Sequence, residues 1–161
     1  MIYLIIPVLI LFIYLLWVVD NHGVLHSWSD SYREIKDKWK FQLTLVLLGL
    51  GVGLFGWFTV HSYLLPFSGL GLITVGLAPR FWLKTQGIIH SVGAILGALA
   101  GLFSVGVDFH LWYISVLGVV LILVIKFSKG GNKTWWMETL AFLTIVFGIF
   151  INYFKNKKTE N

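Results

Sequence analysis

Cysteine is absent from the 161 residues. That excludes disulfide frameworks, thiolate zinc sites and a cysteine nucleophile. Charge is scarce as well: 12% of residues are Asp, Glu, Lys or Arg, where soluble domains carry roughly a quarter. The chain therefore lacks the charge to cover a water-facing surface. In its place stands a composition that is 58% hydrophobic, with a mean hydropathy of +0.86. The apolar residues fall in long runs, not in the stripes of a half-buried soluble helix. Runs of about 18 or more such residues read as transmembrane helices. The fold class expected is all-α: a single integral membrane domain over 1–161, built as a polytopic transmembrane helix bundle of about six spans.

The spans expected are 2–19, 41–61, 63–78, 86–103, 109–125 and 135–153. The first has no basic leader and no small-residue cleavage site after it, so it reads as an uncleaved helix and not a signal peptide. Pro66 lies in the first turn of the third span, and Pro79 ends or kinks it. Between the first two spans lies a polar loop, 20–40. Its second half has mixed charges with Tyr32, Ile35 and Trp39, the pattern of a short interfacial helix.

The net charge of +5 does not point to nucleic acid, because the basic residues sit between apolar runs, where positive charge fixes topology. Arg33, Lys36, Lys38 and Lys40 lie in the first loop, Arg80 and Lys84 in the third, and Lys126, Lys129 and Lys133 in the fifth. With six spans these loops share one side, expected to be the cytoplasmic side of a cell membrane. Lys155, Lys157 and Lys158 fall on the other side, and nine against three favours this orientation. A five-span alternative, with one re-entrant helix, would put the C-terminus inside. Trp17, Trp39, Trp57, Trp82, Trp112, Trp135 and Trp136 fall near expected helix ends, the headgroup zone that tryptophan favours. Trp28 alone lies away from an expected helix end.

Lipid tails are as apolar as leucine, so helices associate in a bilayer through close backbone approach at small residues. Gly93, Gly97 and Gly101 form a ridge at i+4 steps on the fourth span, widened by Ala94 and Ala98, which marks that span as the candidate central helix. The ridge suits either internal packing or a homo-oligomer contact.

Ionisable residues inside spans are costly and are functional candidates by default. His90 shares the face of Gly93 and Ala94, so it points at a neighbouring helix. Glu138 stands in the first turn of the sixth span, where a carboxylate also serves as a cap. An interhelical hydrogen bond is the plain account of His90. With six spans both lie at the cytoplasmic end, with Arg80 and with the loop residues Ser27, Ser29, Asp30 and Tyr32. These seven residues form the candidate polar cluster. His61, Asp108 and His110 collect at the opposite face. As metal ligands the chain offers His22 and His26, one turn apart on any helix that contained both, and His90. Gly23 weakens such a helix, and a solvated loop is the simpler reading. No cofactor is indicated.

Three segments in order carry a resemblance: Ser27, Ser29, Ser31 and Tyr32; then Ala78, Pro79 and Phe81; then His90, Gly93 and Ala94. The pattern resembles a set of small polytopic membrane proteins of phage, prophage and bacterial genomes. They are marked by Ser-x-Ser-x-Thr/Ser-Tyr, Ala-Pro-x-Phe and His-x-x-Gly-Ala motifs, and no activity is established for them. The resemblance covers about residues 23–101. It implies the architecture and the choice of His90, Ser29, Asp30 and Tyr32, and it supplies no reaction. A more distant similarity is to seven-helix ceramidase-like hydrolases, which place histidines, an aspartate and a serine around zinc. This chain has fewer helices and lacks their paired histidines in a final helix.

Three functions follow as expectations. The first is a non-enzymatic envelope or host-membrane protein. The second is a metal-dependent membrane hydrolase with its polar site at the cytoplasmic face. The third is a proton or ion conduit relaying through His90 and Glu138.

Overall fold

A computed structural model describes residues 2–78 and 83–159. Among them the chain is all-helical. The elements are α1 (Ile2–His22), a 3-10 turn (Trp28–Asp30), α2 (Ser31–Glu34), α3 (Lys38–Phe58), α4 (Leu65–Leu77), α5 (Leu83–Val107), α6 (Trp112–Phe127) and α7 (Lys133–Thr159). Four helices are long and apolar enough to cross a membrane: Tyr3–His22, Lys38–Phe58, Gly87–Val107 and Lys133–Asn156. The other two apolar helices are shorter, at 13 residues for α4 and 16 for α6. At about 1.5 Å per residue, α4 reaches about 20 Å, against about 30 Å for a bilayer's hydrocarbon.

The six apolar helices are those expected, with shifted ends. The interfacial helix expected within 20–40 is the main difference. Only α2 forms, four residues long. Ile35 then turns extended, with ψ at 142°, because its side chain is 1% exposed and belongs to the core. Helix restarts at Lys38, which lets Phe41 enter the same core. There the Lys40 ammonium, hydrogen-bonded to Asp37 at 2.8 Å, holds that carboxyl below its usual range.

Helix α3 buries Phe41, Leu45, Leu48, Val52 and Phe55. Their alternating steps of four and three are the seam of left-handed helix packing. Helix α1 sets Leu4, Leu11 and Val18 against the bundle at seven-residue intervals. The order of packing is α1 on α3, α3 on α4, α4 on α5, and α5 on both α6 and α7. The α3–α4 crossing needs glycine on both sides, and the α4–α5 crossing needs it at Gly71. A Cβ on Gly49 would lie 2.5 Å from the Gly69 carbonyl oxygen, and one on Gly71 would lie 2.5 Å from Gly97 Cα. The α4–α5 approach also lets Ser68 Oγ donate to the Gly97 carbonyl at 2.8 Å. Gly93, Gly97 and Gly101 are therefore spent inside the chain, the first two facing α4 and Gly101 facing Ile145 of α7 and Ser68. Helix α5 packs against three helices, α4, α6 and α7.

Hydrogen bonds mark the two ends of the bundle. At one end the first loop is stitched to the start of α7: Asn132 Nδ2 donates to the Val24 carbonyl at 2.8 Å, and the Trp135 N–H to the His26 carbonyl at 2.9 Å. At the other end Ser104 Oγ donates to Asp108 Oδ2 at 3.1 Å, and Ser62 Oγ donates to the same carboxylate. Ser62 Oγ accepts in turn from the Leu65 N–H at 3.0 Å, which satisfies one orphan donor at the start of α4. His61 and His110 sit at this end with left-handed φ values of 51° and 55°, turning the chain out of α3 and into α6.

Candidate functional site

The site grows from the loop between α1 and α2. Ser27 and Asp30 cap the 3-10 turn reciprocally: the Ser27 N–H donates to Asp30 Oδ2 at 3.1 Å, and the Asp30 N–H to Ser27 Oγ at 3.2 Å. Ser27 also donates its single hydroxyl proton to Asp30 Oδ2, at 3.0 Å. Its 2.9 Å contact with Ser29 Oγ must then be a bond donated by Ser29. Ser31 is wholly buried, taking a bond from Tyr14 Oη at 2.6 Å and donating to the Trp28 carbonyl. These bonds fix Trp28, which is 7% exposed, with its ring edge-on to Phe142 at 5.7 Å.

Trp28 is held from α7. Its backbone N–H donates to Glu138 Oε2 at 2.7 Å, and its Nε1 donates to Thr139 Oγ1 at 3.0 Å. Behind it lies a cavity of about 100 Å³ between α3, α4, α5 and α7. That is room for several waters or a short alkyl chain. Its polar end is formed by Ser29, His90 and Glu138. The rest of its wall is apolar, including Leu45, Leu72, Ala98 and Ile145, with Ser68 as the one other polar side chain. Toward the far end α5 and α7 close on each other, Gly101 against Ile145 and Gly148 against Val105.

His90 has no hydrogen-bond partner among the described residues. The nearby charges that act on it are Asp30 and Arg33, and Asp30 acts on Glu138 too. No lysine or arginine forms an ion pair with Glu138 among the described residues; the pairs present there are Arg33 with Asp30 at 3.9 Å and Lys40 with Asp37.

Of the seven clustered candidates, the structure brings five together. Ser29, His90 and Glu138 line the cavity, while Ser27 and Asp30 hold the turn that covers it. Tyr32 faces away, 6.1 Å from the Phe41 ring and beneath Lys38 Nζ at 5.2 Å. Arg80 lies outside the described residues, as do Pro79 and Phe81. The metal candidates do not converge. His22 ends α1, edge-on to Trp17 at 6.1 Å. Gly23 then takes a left-handed φ of 73°, so His26 leaves the helix and meets Thr134 Oγ1 at 3.5 Å. Among the described residues no three His, Asp or Glu side chains are grouped as a metal would need.

Sequence reasoning missed Trp28 and Thr139. The signal for Trp28 was present, since it alone among the tryptophans stood away from a helix end. Ser62 and Ser104 were also missed, and nothing in the sequence pairs them with Asp108. No family model matches the chain, and no curated protein or solved structure matches it.

Proposed function

We propose that the chain is a non-enzymatic, six-span protein of the cytoplasmic membrane that binds a small amphiphile in the cavity behind Trp28. The observation that carries this reading is the cavity's polarity: apolar walls with Ser29, His90 and Glu138 at one end. An apolar pocket with a few converging polar groups is the usual form of a small-molecule site. The hydrolase reading has less support, because Ser29 gives its proton to Ser27 and not to a base. A conduit has less support because the cavity narrows between Gly101 and Ile145 before it reaches Asp108. The motif resemblance to small phage and bacterial membrane proteins is compatible with a binding role in an envelope.

Six crossings are supported by the pairing of loop ends. The first and fifth loops are bonded to each other, and the second and fourth meet at Asp108. Helix α4 runs antiparallel between α3 and α5 despite its length, and a short span is accommodated by local thinning of the bilayer. The cysteine-free chain makes sidedness easy to read. A membrane-impermeant maleimide on intact cells should label Tyr63→Cys and should spare Lys129→Cys until the cells are opened. Labelling of Lys129→Cys in intact cells would favour five spans.

Filling the cavity tests the binding role. Ala98→Phe should leave the purified protein folded and remove a bound small amphiphile, seen as an adduct by native mass spectrometry of wild type. Wild type without an adduct, and unmoved in melting temperature by added short-chain amphiphiles, would remove the reading.

A further inference from the structure

The cavity's polar end offers more acceptors than donors. Glu138 uses Oε2 for the Trp28 N–H, while Oε1 takes no hydrogen bond among the described residues. Ser29 has given its only proton to Ser27, so it has only lone pairs left to offer. His90, without a partner among the described residues, brings one acceptor nitrogen and one N–H donor. No cation answers the carboxylate among the described residues. A carboxylate or phosphate at this end would meet Glu138 as a like charge. We infer that the amphiphile is an apolar primary amine, its ammonium set among Glu138, Ser29 and His90 and its alkyl part in the cavity. An ammonium has three N–H donors, one each for Glu138 Oε1, Ser29 Oγ and the acceptor nitrogen of His90.

This inference rests on the proposed binding role, and the two can fail separately. Purified protein in micelles is titrated with hexylamine, hexan-1-ol and hexanoate, which share one chain and differ at the polar end. Binding is read by Trp fluorescence and melting temperature. Hexylamine should bind at least about tenfold more tightly than the other two, the scale of one charged hydrogen bond. Glu138→Gln keeps an acceptor for the Trp28 N–H, so it should stay folded and erase that preference. Equal or tighter binding of hexan-1-ol or hexanoate overturns the amine and leaves the cavity as a binding site. Retention of the preference in Glu138→Gln overturns the amine assignment as well. Binding of none of the three overturns both. Competition from phosphatidylethanolamine in phosphatidylcholine nanodiscs would identify the amine as a lipid headgroup, and its absence would identify a free amine.

Discussion

Gly71→Val should abolish the folded protein, and Gly71→Ala should lower its stability by about 3 kcal/mol, the upper end of what overpacking costs. A Cβ at this position would lie 2.5 Å from Gly97 Cα and 2.6 Å from the Gly93 carbonyl oxygen. Both obstacles are backbone, so no side chain can swing aside. Relief would require α4 to move off α5, which breaks the Ser68 bond to the Gly97 carbonyl and opens the cavity wall at Leu72. In a bilayer no hydrophobic gain offsets that loss, because helices separated by lipid remain in an apolar medium. Gly87→Ala is the control, since nothing lies within 4 Å of a Cβ there; it should be neutral or slightly stabilising. Thermal unfolding in one detergent, scored by loss of the monodisperse peak, checks both. Equal behaviour of Gly71→Ala and Gly87→Ala would show that α4 and α5 do not approach as described.

Trp28→Ala should cost about 3 kcal/mol, the lower end for removing a large buried aromatic, and should also open the cavity. The side chain loses its contact with Phe142 and its bond to Thr139, while the backbone bond to Glu138 is retained. Trp28→Phe keeps most of the packing and loses only the N–H donor, at about 1 kcal/mol. The opening can be read separately from stability. In a chain without cysteine, Ser29→Cys introduces a single thiol beside the cavity. Its reaction with a small maleimide should be slow when Trp28 is present and much faster with Trp28→Ala. Equal rates would mean that Trp28 does not cover the site.

The two predictions test different sources of cohesion. Gly71 concerns helices that meet through bare backbone, and Trp28 concerns a loop held by hydrogen bonds. Asn132, Trp135, Glu138 and Thr139 all contribute to the second, so the start of α7 is the anchor for the whole first loop. Glu138 therefore has a structural bond on one oxygen and a free acceptor on the other, so a plain cap and a site residue are compatible in one carboxylate.

Much of this was legible in the residues alone. The scarcity of charge set the class of fold, because burial of apolar surface in lipid needs neither a charged exterior nor an amphipathic stripe. The runs of apolar residues located six helices, and the small residues of α5 identified the helix that others approach closely. His90 and Glu138 were singled out because ionisable groups in apolar runs are expensive, and both do line the cavity. The partners of these groups were not legible. Phe41, Leu45, Leu48, Val52 and Phe55 form a core seam, but Leu43, Leu50 and Leu54 on the exposed side of α3 are as apolar as they are. A pattern read from polarity cannot separate two apolar faces. Nor could it show that Tyr32 turns away, that Gly23 parts His22 from His26, or that Trp28 reaches Glu138 across 110 residues of chain. The sequence determined which segments form apolar helices and which residues are costly within them. Only the tertiary structure decided what those residues face, because that depends on helix rotation and close approach, which hydrophobicity leaves undetermined in a medium that is apolar on every side.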